Sequence, residues 1–183
     1  MDEEGFRKYQ TTRDQESLEE KVRRWKQLQP VTYGQPLPEL MWGYVTTADA
    51  MFIDGHFMGV VLLCAGIIEL VLADQLMTRS QMTRDEVERF NLEQMVILAH
   101  RLEFVTEEEK DAINGLRKLR NALIHANAGK ISKMAKRHGD FYGGVGMEFY
   151  LFPLSKEGGI SSDALKYLRF TRDFTSKFYG AKP

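Results

Sequence analysis

Arg117, Asn121 and His125 recur at every fourth position, a spacing that stacks side chains in one column on a helix. Beside this column stands Arg120. At 100° per residue, Ile113, Leu116, Leu123 and Ile124 all fall within about 60° of it. Arg120 is therefore expected in the middle of an apolar stripe, where a guanidinium is out of place even if its stem can snorkel. A guanidinium presents a fork of N–H donors to an oxyanion, and an imidazole exchanges a proton near neutral pH. Stripe and column meet along an edge that reads as the wall of a site. On an ideal helix Arg120 and His125 lie about 140° apart. They converge only if the arginine bends round, the helix end distorts, or a second subunit supplies one of them.

Glu69 is the acidic counterpart. Its neighbours on one helical face are Leu62, Ala65, Gly66, Leu72, Ala73 and Leu76, and a lone carboxylate buried there loses several kcal/mol to desolvation. Arg120 is the natural partner, so an ion pair between Glu69 and Arg120 is expected. Such a pair has two readings: support for a site, or a purely structural buried contact.

The elements that carry these residues are helical. Residues 15–29 read as an amphipathic helix with Leu18, Val22 and Trp25 on one face, stopped by Pro30. Residues 30–40 hold three of the five prolines and Gly34, the composition of a loop or extended linker. A second helix is predicted from Thr46 or Thr47 to about Thr78, with a break at Asp54-Gly55. A third is predicted over Arg84–Glu103, with Leu92, Met95, Val96, Ala99 and Leu102 at helical spacing. The motif helix opens with Thr106-Glu107-Glu108-Glu109, a capping-box pattern. It is expected to end near Asn127, with Gly129 as the stop. A last helix covers about Ser162 to Tyr179, with Ala164, Tyr167, Leu168, Phe174 and Phe178 on one face. The sum is an all-α bundle, with room for a small β-hairpin between 139 and 153. Residues 1–44 are expected to form an N-terminal helix and proline-rich linker. Residues 45–183 are expected to form the main helical domain, with an extension from about 130.

Composition sets limits on function. The chain has 183 residues, enough for one domain that buries roughly 70% of its unfolded surface without a staple. A net charge of −1 leaves any nucleic-acid surface to local patches. Cys64 is the only cysteine, which excludes an internal disulfide and a cysteine-rich metal site. The opening MDEEGFRKYQ is acidic and polar, unlike a secretory signal, so a cytoplasmic location is expected. Phe57–Leu76 is long enough to span a bilayer but carries Glu69 and Asp74, so a central buried helix is expected and no membrane partner.

The segment Leu116-Arg-Lys-Leu-Arg-Asn-Ala-Leu-Ile-His125 resembles the signature of the HEPN superfamily: an arginine, a small polar residue and a histidine near the end of a long helix. The context is similar too, since an apolar helix with an acidic residue (Glu69) and a connecting helix precede the motif helix. The resemblance spans roughly residues 45 to 127. It implies a HEPN-like helical bundle and metal-independent RNA cleavage, without cofactor, in toxin–antitoxin, antiphage defence or RNA-processing settings. His125 would then be the acid–base residue, Arg120 would neutralise charge on the phosphate, and Asn121 would orient His125 or a phosphate oxygen. Glu69 and Arg117 would support them. The product would be a 2′,3′-cyclic phosphate. One histidine per motif also implies a symmetric homodimer through the motif helices, so that one imidazole serves as base and the other as acid. A toxin of this kind can have a separate neutralising antitoxin. Some members of the superfamily are non-catalytic binding modules, the competing expectation.

Lys118, beside the motif, is a candidate for holding RNA phosphates, or one of a solvated face. Lys130, Lys133, Lys136, Arg137 and His138, followed by Phe141 and Tyr142, form a basic and aromatic cluster of the kind that suits single-stranded RNA. Gly143-Gly144-Val145-Gly146 lacks the Gly-Lys-Ser/Thr of a phosphate loop. His56 and His100 have no partners at metal-ligand spacing, so no metal is expected.

Overall fold

In a computed structural model the chain is described over residues 17–124 and 160–180, and every regular element there is helical. Residues 17–27 form α1. Next come α2 (Glu39–Asp54), α3 (Phe57–Arg79), the single turn α4 (Arg84–Val87), α5 (Leu92–Arg101) and α6 (Glu107–Ile124), and α7 spans Ile160–Tyr179. The expected hairpin between 139 and 153 lies outside the described residues, as does the expected end of the motif helix near Asn127.

The long apolar segment is the axis of the bundle. In α3, Val60, Val61, Cys64, Ala65, Ile67, Ile68, Val71, Leu72 and Leu76 are all buried. At 100° per residue they sweep an arc of about 180°, wider than one neighbouring helix can cover. α2, α5, α6 and α7 share that cover, with α7 making the most extensive contact. The side of α3 away from that arc, through Leu62, Gly66 and Ala73, is only partly covered, and Glu69 lies at its margin with the buried face.

The break at Asp54-Gly55 is real, but the helix before it begins seven or eight residues earlier than expected, at Glu39 directly after Pro38. The Pro38 carbonyl accepts the first intrahelical hydrogen bond, from the Trp42 N–H at 2.9 Å. An N–H at this end would have no helical partner, so proline loses nothing by lacking one. Gly55 closes α2 at φ +84°, a left-handed conformation that penalises any side chain.

The single helix expected over Arg84–Glu103 is two. Asn91 accepts a hydrogen bond from the Gln94 N–H (3.0 Å), and Gln94 accepts one from the Asn91 N–H (3.0 Å). This capping box starts a new helix inside a stretch whose periodicity looks continuous. Leu92, Met95, Val96 and Ala99 are buried as expected, while Leu102 lies past the helix end and is exposed. Thr83 with Glu86 and Thr106 with Glu109 form the same reciprocal cap on α4 and α6.

The α1 stripe of Leu18, Val22 and Trp25 faces solvent, with Leu18 63% and Trp25 62% exposed. The face that docks is the polar one. Arg24 is buried, donates from Nε to the Ile53 carbonyl at 2.8 Å and lies over the Phe57 ring. Lys21 Nζ meets Asp54 Oδ1 at 2.8 Å. Arg24 Nη1 lies 3.1 Å from where a Cβ on Gly55 would be, so the turn and the docked arginine share one space.

Candidate functional site

α6 is positioned at three levels. At its start, Lys177 of α7 donates to the Phe104 carbonyl (2.9 Å) and to Glu109 Oε2 (2.7 Å). At its middle, Gly115 lets α7 approach: the Tyr167 hydroxyl is 2.7 Å from the place a Cβ would take. The third level is electrostatic. Arg117 reaches Glu93 of α5 through Nη1–Oε2 and Nη2–Oε1, both 2.9 Å.

Arg120 stands at the border of the buried stripe, not in its middle. Leu116, about 40° to one side, is fully buried; Ile124, about 40° to the other, is 51% exposed. The buried face of α6 is Ile113, Leu116, Leu119, Ala122 and Leu123, so it is turned toward Leu119 and away from Ile124. Arg120 and Asn121 are both partly buried, and neither has a hydrogen bond or ion pair among the described residues.

The expected Glu69–Arg120 ion pair is not formed. Glu69 is partly exposed and has no ion pair or hydrogen bond among the described residues. The reason is shared: both residues occupy the margins of their helices' buried faces, where water supplies the solvation that a buried charge would need from a partner. Lys118 is exposed on α6. His125, Lys130, Lys133, Lys136 and Arg137 lie outside the described residues.

The charges that are buried are others. Arg24 and Arg172 are 6% and 8% exposed. Arg172 Nη2 is 3.8 Å from Asp49 Oδ2, and burial pushes the Asp49 carboxyl up, partly offset by Arg172. Tyr33 Oη, Asp49 Oδ1, Thr171 Oγ1 and Arg172 Nε are buried without a hydrogen bond of ordinary geometry. The sequence carries a signal for Arg172, which falls four residues after Leu168 and three before Thr175, both buried. For Arg24 it carries none, because that residue lies off the apolar stripe of its helix. Cys64 is buried and its thiol is pushed up to about 12 by burial, which leaves it protonated and unreactive at neutral pH. Among the described residues no group of three or more His, Cys, Asp or Glu could hold a metal ion.

Comparison with family models, with curated proteins and with solved structures gives no match for this chain.

Proposed function

We propose that the chain is a metal-independent endoribonuclease of HEPN type, with Arg120, Asn121 and His125 as its reacting group. The observation that carries this reading is the state of Arg120: a partly exposed guanidinium at the edge of the α6 stripe, with no carboxylate committed to it among the described residues. A cation so placed has its donors available to a phosphate. Arg117, bound on both prongs by Glu93, serves instead to hold α6 against α5.

The reaction assigned to these residues is internal transesterification. One imidazole takes the proton of the ribose 2′-OH as that oxygen attacks phosphorus. Arg120 neutralises the charge that gathers on the phosphate oxygens, and Asn121 orients a phosphate oxygen or His125. The bond from phosphorus to the 5′-oxygen breaks, and the departing oxygen takes a proton from a second imidazole. A symmetric dimer through the motif helices supplies that second group. The products are a 2′,3′-cyclic phosphate and a 5′-hydroxyl.

The test is incubation of mixed RNA in EDTA with the wild-type chain and His125→Ala. Cleavage by the first and not the second is expected. Absence of cleavage by both favours a helical binding module in which these residues do no chemistry.

A further inference from the structure

The outward stripe of α1 joins three large apolar side chains on one exposed helix face. Leu18, Val22 and Trp25 lie within an arc of about 60°, and all three are exposed, Val22 at 41%. Their spacing of four then three residues is that of a coiled-coil seam. The helix is held to the body from its other side, through Lys21, Arg24 and the Gln27 carbonyl, which accepts from Arg169 at 2.9 Å. An amphipathic helix anchored by its polar side leaves its apolar side for something else.

The charges beside the seam indicate what that is. Glu19 and Lys26 are exposed on the same flank, one heptad apart, and neither has an ion pair or hydrogen bond among the described residues. In an antiparallel pair of such helices related by a two-fold axis, residues at this flank position face each other across the seam. Glu19 of each copy then meets Lys26 of the other, so the pair is matched twice. Val22 and Trp25 fill the central layers of the same register. In a parallel pair this flank would not bring these two charges together in that way.

We infer that α1 is a self-association surface whose partner is a second copy of this chain, docked antiparallel through Leu18, Val22 and Trp25. This contact is separate from α6 and independent of the proposed RNA chemistry.

The experiment measures molar mass by sedimentation equilibrium across a range of protein concentration, using the full chain. The wild type is compared with Glu19→Lys, Lys26→Glu and the double exchange Glu19→Lys/Lys26→Glu. Both positions are exposed, and circular dichroism verifies the fold of each variant. Each single reversal is expected to weaken association at least about tenfold, and the double exchange to restore it. Val22→Glu is expected to abolish the α1 contact and lower the mass, leaving no more than the pair joined through the motif helices. A wild type that is monomeric throughout, with Trp25 exposed to a soluble quencher, overturns the inference. So does a monomer in which Trp25 is shielded, because its own chain then covers the stripe. An assembly unchanged by all the α1 variants also overturns it, and places association elsewhere.

Discussion

Arg117 and Glu93 join α6 to α5 through a two-pronged contact, with both N–O distances 2.9 Å. Arg120, three residues on, has no such partner among the described residues. Two partly buried arginines of one helix thereby differ: one is committed to a contact that holds the bundle, and the other is unpaired among the described residues, at the edge of the buried face. Arg117→Ala should lower stability by about 1 kcal/mol, the upper end for a partly exposed pair, or about 3 °C in Tm. Arg120→Ala should leave Tm close to that of the wild type. Thermal unfolding of both variants checks the division; a larger loss for Arg120→Ala would reverse it.

Gly115 and Tyr167 form a second testable contact. A methyl group at position 115 would meet the Tyr167 hydroxyl at 2.7 Å, which opposes the roughly 1 kcal/mol that alanine gains over glycine in a helix. Gly115→Ala should therefore be less favourable in the wild type than in a Tyr167→Phe background, by about 1 kcal/mol. Denaturant unfolding of the four proteins in this cycle measures the difference, and strict additivity would show that the contact is relaxed.

Cys64 should not react with a thiol reagent in the native state at neutral pH. It is fully buried and its thiol is pushed up to about 12. Labelling should appear only in denaturant, at the rate of an ordinary exposed cysteine. Rapid labelling of the folded chain would place α3 nearer the surface than the structure has it.

The attachment of α1 should depend on pH. The Lys21 ammonium hydrogen-bonded to Asp54 holds that carboxyl below its ordinary value. A carboxyl depressed on folding contributes stability that is present above its unfolded pKa, about 3.9, and is lost as pH falls through the folded value. Amide exchange in α1 should therefore rise as the solution is acidified through the carboxylate range, and less so in Asp54→Asn, which lacks the titrating group. Exchange that is independent of pH, after correction for its intrinsic rate, would contradict this.

The helices are legible in the sequence because apolar period and capping residues are local signals. The Thr106–Glu109 cap and the glycine break at 55 are such cases. The orientation of a helix is not local, and there the sequence misleads. The stripe of α1 is visible, but its outward direction follows from Arg24 reaching the end of α2. Arg120 falls mid-stripe only when Ile124 counts toward the core; in the structure Leu119 takes that role. The split between α4 and α5 escapes a periodicity argument because a capping box can interrupt an unbroken period. The expected Glu69–Arg120 pair fails on the same ground as the placement of Arg120. Apolar period alone does not separate the margin of a helix face from its centre.

The most direct test of the central claim is the single-turnover cleavage of an end-labelled RNA in EDTA, with the chemistry of the new ends determined. The wild type should leave a 2′,3′-cyclic phosphate and a 5′-hydroxyl. His125→Ala and Arg120→Ala should each slow the reaction at least about 100-fold, while Arg117→Ala, if folded, should retain most of the rate. A wild-type chain that cuts no RNA, or a His125→Ala variant that cuts as fast, would contradict the account.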